Sequence, residues 1–257
     1  MKFSLLHPSR SRADRSFETT SKWLRKSGGS NIQLIISLDE DDAQLDTYKS
    51  IYSIVFEDQN FNHAKFPNML YPDKLQIQIN PNRSAVDAIN AAAKVATGDI
   101  MIVLSDDTDC PDNWAELIEA EVRGKKDFVL RVGDGIQSWL VTMPCFDRAY
   151  YNRFGYVYYP DYRHMFSDTD FTHVAFGLDR VIKSNLLFPH LHYSVKKLGI
   201  KPDEINHRAD RTTTEGRDTY LERFKRGFDI PGFDVWNFED EAHEKWLRAY
   251  GFKRPYR

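Results

Sequence analysis

This 257-residue sequence has few cysteines, no long apolar run and almost no net charge. Two cysteines, Cys110 and Cys145, are too few for a disulfide framework and lack the spacing of a structural zinc site. No apolar run approaches the ~18 residues that span a bilayer, so we expect a cytoplasmic protein whose membrane contacts are at most peripheral. A formal charge of −3 gives no overall attraction to nucleic acid or to an anionic membrane.

The sequence is nevertheless rich enough in apolar residues for a large folded core. Hydrophobic side chains make up 41% of the chain and aromatic ones 14%, which allows one large α/β domain or two small ones. In the first half, apolar runs predict strands at residues 3–7, 32–38, 75–79 and 100–104. Helical periodicity fills the intervals, and Ser84 with Asp87 predicts a capping box for the helix that Gly98 ends.

This alternation predicts the fold class, an α/β protein with a mostly parallel sheet flanked by helices. In such sheets, ligands bind beyond the carboxyl ends of the strands. The second half is less regular. Its patterns predict a helix from Pro111 to Val122, strands at 128–132 and 139–143, and amphipathic helices around 220–228 and 242–250.

The strongest chemical signal is an acidic run that follows the predicted strand at 100–104. It contains Asp106, Asp107 and Asp109. Carboxylates at a strand end can hold a hard divalent cation and leave coordination positions open for substrate phosphates. The alternative is that Asp109 or Cys110 caps the following helix while the other acids are solvated.

Several segments of the first 114 residues match, in order and spacing, those of a known enzyme family. Ser105-Asp106-Asp107 stands where that family has its DxD-type metal signature. The sequence thus resembles family 2 of the GT-A glycosyltransferases, and the resemblance implies a Rossmann-like GT-A fold. The matching segments are 3–12, 35–39, 80–84, 88–92, 97–100 and 104–107.

The resemblance also implies which residues bind a nucleotide-sugar donor. Asp39 would contact the base, Arg83 the diphosphate, Asp106 the ribose and Asp107 a Mn²⁺ or Mg²⁺ ion. Because Ser105 replaces the usual first acid, either Asp106 or Asp109 would assist Asp107. The alternative to these binding roles is that Asp39 is only a turn residue and Arg83 only a surface cation. The remaining members of the implied nucleoside pocket are Pro8, Ser9 and Arg12.

A second constellation surrounds Asp168. The run from Phe166 to Phe171 is similar to the family's segment that carries the catalytic base, which implies that Asp168 removes the proton from the acceptor hydroxyl. Asp170 would then orient the acceptor or cap the helix. Ser167 stands where the family has Glu, and the alternative is a capped surface helix with solvated acids.

Two histidines at i and i+2, His190 and His192, lie in a predicted apolar strand and so share one face. Many GT-A enzymes complete their metal site with a C-terminal His, which implies His192 as a ligand with His190 as second choice. The alternative is a structural pair. Among the aromatic residues, Trp139 and Tyr162 are candidate acceptor contacts.

Taken together, these signals predict a metal-dependent, inverting glycosyltransferase that uses a nucleotide-diphosphate sugar, with UDP favoured, and an unidentified hydroxyl acceptor. The prediction divides the chain into a GT-A catalytic domain at 1–200 and a helical extension at 201–257. Within the domain, residues 1–110 form the nucleotide-sugar-binding half and 111–200 the acceptor half.

Three alternatives remain. A non-catalytic GT-A-like protein that binds a nucleotide sugar would explain Ser105 and Ser167. A transferase acting on modified DNA bases would use the basic pairs Lys225-Arg226 and Lys253-Arg254. A phosphatase of the aspartyl-phosphate type is disfavoured, because that class carries its acids on the first strand.

Overall fold

The computed structural model of the protein describes residues 1–57, 75–238 and 240–254. In it, strands and helices alternate through the first half as the sequence predicts. The strands are β1 (Lys2–Pro8), β2 (Asn31–Asp39), β3 (Leu75–Asn80), β4 (Ile100–Val103), β5 (Val129–Gly133), β6 (Cys145–Asp147) and β7 (Val181–Leu187). The helices are α1 (Ala13–Arg25), α2 (Leu45–Glu57), α3 (Ala85–Val95), α4 (Trp114–Val122), α5 (Arg148–Tyr151), α6 (Ser167–Gly177), α7 (Glu204–Asp210), α8 (Thr213–Lys225) and α9 (Glu241–Ala249).

The strands form one seven-stranded sheet in the order β3-β2-β1-β4-β6-β5-β7. Strands β1 to β4 pair in parallel, and so do β5 and β7. The short β6 runs antiparallel to both of its neighbours. This confirms the predicted α/β class with a mostly parallel sheet, in which the carboxyl ends of six strands share one edge.

Local sequence explains why α3 leads into β4 where it does. The side chain of Ser84 caps α3 by accepting a hydrogen bond from the Asp87 amide, which confirms half of the predicted capping box. After the helix, Gly98 passes so close to β1 that an added Cβ would lie 2.6 Å from the backbone nitrogen of Ser4. Only glycine allows this approach without moving backbone atoms.

Three element predictions are wrong. The strand expected around His190 and His192 is absent, because β7 ends at Leu187 and His190 forms only an isolated bridge to Thr108. Residues 139–143 do not form a strand, and the pairing strand is instead the short β6, which begins after Pro144. Proline lacks the amide hydrogen that a strand ladder needs, so pairing starts beyond it. The helix expected from Pro111 begins only at Trp114, because Asn113 before it has a left-handed backbone.

A buried apolar core covers each face of the sheet. The first core packs α1, α2 and α4 against strands through residues such as Trp23, Tyr48 and Trp114. The second packs α3 and α6 together with the last two helices, which contribute Tyr220 and Leu247. The division at residue 200 stays a prediction, although the segments on its two sides share this second core.

Crossing a bilayer needs a long apolar helix. Among residues 1–57, 75–238 and 240–254, no helix has both the length and the apolar character required.

Candidate active site

A cavity of about 530 Å³ opens where the strands end. Its walls come from the exits of β1, β2, β4, β5 and β7, from the starts of α3 and α6, and from α7. It therefore lies where ligands bind in open α/β sheets. The cavity gathers nearly all of the site residues implied by the sequence, namely Pro8, Ser9, Arg12, Asp39, Arg83, Asp106, Asp107, Asp168, His190 and His192.

Asp106 is a buried carboxylate at the base of the cavity. Ser9 donates a hydrogen bond to its Oδ1 at 3.0 Å, and the Nε2 of His7 lies 3.1 Å from the same oxygen. The Arg12 guanidinium approaches its Oδ2 to 3.7 Å. These contacts from β1 and the following loop fix the carboxylate in place, so the first strand and the β4 exit form one polar wall.

Asp39, the last residue of β2, is also buried and held on both sides. Arg10 donates to its Oδ2, and the side-chain amide of Asn82 donates to its Oδ1 at 3.0 Å. Arg10 at the same time pairs with Asp41. The carboxylate is thus oriented toward the cavity rather than free in a surface turn. Neither Arg10 nor Asn82 was singled out from the sequence.

Asp107 meets His190 across the site. Its Oδ1 accepts a hydrogen bond from Ser105 and lies 3.1 Å from the imidazole Nε2 of His190. Backbone hydrogen bonds join the exits of β4 and β7, from Leu191 N to Asp107 O at 2.7 Å and from Asp109 N to Pro189 O at 2.8 Å. The chain path itself therefore brings this acid and this imidazole together.

The two partners shift each other's protonation. Burial raises the pKa of the Asp107 carboxyl, but the hydrogen bond and charge of His190 outweigh it, so the net pKa lies far below the usual value. Burial lowers the pKa of His190, and Asp107 outweighs that effect in the same way, so its net pKa is raised. Asp107 is consequently ionised throughout the physiological range.

The other two proposed metal ligands are placed differently. Asp109 does not line the cavity, and its carboxylate forms an ion pair with Lys22 at 3.3 Å. His192 does line the cavity, but its Nδ1 is hydrogen-bonded to Ser194 at 2.8 Å. Within the described ranges, no three His, Cys, Asp or Glu side chains gather at metal-binding spacing. The protein itself thus offers a pair, Asp107 and His190, rather than a closed cage.

Asp168 stands in the first turn of α6, in the cavity wall. Its Oδ1 accepts a hydrogen bond from the Thr169 amide at 2.8 Å. In the described part of the chain we find no hydrogen bond to Oδ2, which leaves that oxygen available to a ligand. Burial raises the pKa of this carboxyl. A more basic carboxylate with one uncommitted oxygen is the group that a proton acceptor requires.

The neighbouring acid Asp170 has a structural role instead. It is buried and forms an ion pair with Arg223 of α8 at 2.6 Å, and it accepts a hydrogen bond from the Tyr162 hydroxyl at 3.0 Å. Tyr162 is therefore a buried core residue. Trp139 packs against Phe238 and His243. Neither aromatic side chain lines the cavity, so the two candidate acceptor contacts are not in the described site.

The position of α7 in the cavity wall was not predicted from the sequence. Asp203, which caps this helix, forms a two-point ion pair with Arg12 at 2.6 and 2.9 Å. Arg208 and Arg211 of the same segment face the cavity together with Arg163. In the sequence, Arg208 of α7 and Arg211, which directly follows the helix, are three positions apart, a spacing that places them next to each other on one helix face.

Comparison by sequence finds neither a matching family model nor a matching curated protein. Comparison by structure does find similar proteins. The TarS protein of Staphylococcus aureus, residues 1–349 with UDP-GlcNAc, superposes with a TM-score of 0.59 at 14% identity, over 99% of this chain and 74% of that one. The mannosyltransferase PcManGT of Pyrobaculum calidifontis, with GDP-Man and Mn²⁺, gives 0.55 at 10% identity, over 97% and 79%. These likenesses confirm the predicted GT-A fold.

Proposed function

We propose that the protein is a metal-dependent glycosyltransferase, which moves a sugar from a nucleotide diphosphate to a hydroxyl group with inversion at the sugar carbon. One observation carries the proposal. Asp107, the acid suited to a metal ion, and Asp168, the acid suited to accept a proton, line the same cavity. The chemistry needs both groups around one substrate, because departure of the diphosphate and attack by the hydroxyl occur on opposite faces of the sugar.

The donor would lie along the strand exits. Asp39 is oriented by Arg10 and Asn82 to accept hydrogen bonds from a base, and Asp106 is fixed beside Arg12 to receive the ribose. We retain uridine as the favoured base. The similar structures hold UDP-GlcNAc in one case and GDP-Man in the other, so both nucleotides belong in the test.

The chemistry of the donor set fits a divalent cation. Asp107 supplies a carboxylate oxygen and His190 an imidazole nitrogen, a combination that suits Mn²⁺. Two protein ligands are sufficient where substrate phosphates and water complete the shell, as is usual for Mg²⁺ and related ions. When bound, the ion would neutralise charge on the departing diphosphate.

Asp168 then completes the reaction as the base. Of the cavity carboxylates, Asp106 and Asp134 are engaged by donors from the chain: Asp134 accepts from two backbone amides at 2.7 Å and from the Thr142 hydroxyl at 2.9 Å. Asp168 keeps one oxygen for the acceptor hydroxyl. Its raised pKa strengthens it as a proton acceptor.

A donor-binding experiment tests the proposal. UDP, UDP-sugars and GDP-sugars are titrated against the protein with Mn²⁺ or with EDTA, and the shift in melting temperature is measured. We expect stabilisation only with the metal, lost in Asp107→Asn and kept in Asp109→Asn, a matched change two positions away outside the cavity. Equal loss in both variants, or binding that EDTA leaves intact, contradicts the proposed metal site. Absence of stabilisation by every nucleotide contradicts the proposed function.

A further inference from the structure

A short basic loop projects from the rim of the cavity. It consists of residues 196–201, the sequence Lys-Lys-Leu-Gly-Ile-Lys, and we call it the basic loop. A 3₁₀ turn over Lys196–Leu198 ends at Gly199, whose φ of 63° lies in the left-handed region. A Cβ added to this glycine would meet nothing within 4 Å, so the turn points into open space.

The tip of the basic loop carries two aliphatic side chains that are partly exposed. Leu198 is 42% exposed and Ile200 is 36% exposed, so both count as exposed large apolar residues. Single exposed apolar residues are normal on protein surfaces. Two of them on one surface turn form a small exposed apolar patch.

The charged residues of the basic loop itself all have one sign. Residues 187–202 contain three lysines and no aspartate or glutamate. In the ranges that the structure describes, Lys196, Lys197 and Lys201 form no ion pair. The basic pairs near the end of the chain differ in this respect, since Lys225 pairs with Glu222 and Arg226 with Asp229. The basic loop therefore carries three positive charges that no carboxylate of the described chain neutralises.

We propose that the basic loop docks the protein peripherally on an anionic lipid surface, with Leu198 and Ile200 entering the headgroup region and the three lysines meeting lipid phosphates. Lysines around partly buried aliphatic side chains are the combination that such surfaces attract. A nucleic acid would use the lysines equally but would gain nothing from the two aliphatic chains, and the tip has no aromatic ring for base stacking.

Both ends of the basic loop are tied to the cavity. On the N-terminal side, the Leu191 amide is bonded to the Asp107 carbonyl, and on the C-terminal side Asp203 is paired with Arg12. Docking would therefore bring the cavity mouth close to the bilayer. On the proposed transferase function, on which this one consequence rests, the acceptor hydroxyl belongs to a molecule presented at a membrane surface.

Sedimentation with lipid vesicles tests the docking independently of transferase activity. The probes are vesicles of phosphatidylcholine alone and vesicles with about 30% phosphatidylglycerol. We expect binding only to the anionic vesicles, weakened about tenfold in Leu198→Ser/Ile200→Ser and in Lys196→Gln/Lys197→Gln. The matched controls are Ile79→Ser/Leu117→Ser, at positions 42% and 37% exposed elsewhere, and Lys125→Gln/Lys126→Gln. Circular dichroism checks that each variant is folded.

Two results would overturn the proposal. One is the absence of binding to anionic vesicles by the folded wild-type protein. The other is vesicle binding that survives loss of Leu198 and Ile200, which would mean that charge alone acts. Binding of a DNA duplex that depends on Lys196 and Lys197 but not on the aliphatic pair would assign the basic loop to nucleic acid instead.

Discussion

The imidazole Nε2 of His190 lies 3.1 Å from Oδ1 of Asp107, although the two residues belong to strand exits far apart in the sequence. Sheet order alone does not bring them together, because β6 and β5 lie between β4 and β7. The chain that follows β7 instead pairs with the loop that follows β4, through the bridge between Thr108 and His190. The contact becomes an ion pair when His190 is protonated. On the proposed function, these two side chains would hold the divalent cation.

The first prediction separates the two histidines. We expect His190→Ala to weaken Mn²⁺ binding about 10- to 100-fold, and His192→Ala to weaken it much less, because only the imidazole of His190 contacts Asp107. The measurement is a Mn²⁺ titration of the melting temperature with UDP present. A larger effect in His192→Ala would contradict the proposed ligand pair and would indicate that His192 is the metal ligand.

The second prediction concerns the base. Asp168→Asn keeps the size of the side chain but removes the proton-accepting charge, so we expect kcat to fall by about 10²- to 10⁴-fold while the dissociation constant for the donor stays within about twofold. Asp161→Asn, which changes an exposed acid on the preceding segment, is the control. Loss of donor affinity in Asp168→Asn, with turnover per bound donor unchanged, would contradict the role.

Most of the fold was predictable because the first four strands have clear sequence patterns. Strands β1, β2 and β4 are buried apolar runs, and β3 alternates as a sheet edge does. The short β6 was missed because its pairing depends on β4 and β5, which flank it only in the folded sheet. Propensity within three residues cannot report such a tertiary partner.

Site residues that directly follow strands were predictable. Site contacts between residues far apart in the sequence were not. Asp39, Asp106 and Asp107 directly follow strands, so their common edge could be inferred. The contact between Asp203 and Arg12 joins residues almost two hundred positions apart. Nothing in the local sequence of α7 specifies that contact, since its helix pattern would fit against any polar surface.

The third prediction concerns acid stability. His173 hydrogen-bonds Tyr220 at 2.7 Å and His243 does so at 2.8 Å. Burial lowers the pKa of His173 to about 3 and that of His243 to about 4. Unfolding exposes both to water, where they take up protons at about pH 6.5. Stability contributed by the neutral histidines is therefore complete above that pH and is lost progressively as pH falls toward 4.

Between pH 6 and 5 this effect amounts to about 1.4 kcal/mol per pH unit for each histidine. The free energy of unfolding, measured with urea at each pH, checks it. In His243→Gln we expect the slope against pH to fall by about that amount, and in the exposed control His207→Gln to stay as in the wild type. An unchanged slope in His243→Gln would show that its protonation is not linked to unfolding.

The fourth prediction reverses a usual rule. Replacing glycine by alanine inside a helix normally stabilises it by about 1 kcal/mol. In α8, however, a Cβ on Gly216 would lie 2.1 Å from the carbonyl oxygen of Met165. Met165 belongs to the segment that leads into Asp168. We therefore expect Gly216→Ala to lower stability by about 2 kcal/mol and to reduce turnover, because the segment must move.

Thermal unfolding and the rate of donor turnover check this prediction together. Thr214→Ala, at an exposed position of the same helix, is the control and is expected to be neutral or mildly stabilising. If Gly216→Ala behaved like Thr214→Ala, the close approach of α8 to the Met165 carbonyl would not exist in solution.

The second core sets a limit on how the protein can be shortened. A version that stops at residue 200 would lack Arg223, the cation that pairs with buried Asp170, and Tyr220, the hydroxyl that meets His173. Asp170 and His173 of α6 would then lose these partners, within two helical turns of Asp168. Engineers who seek a minimal catalytic unit should remove material from the far end of α9 inward, and should treat α8 as inseparable from the chemistry.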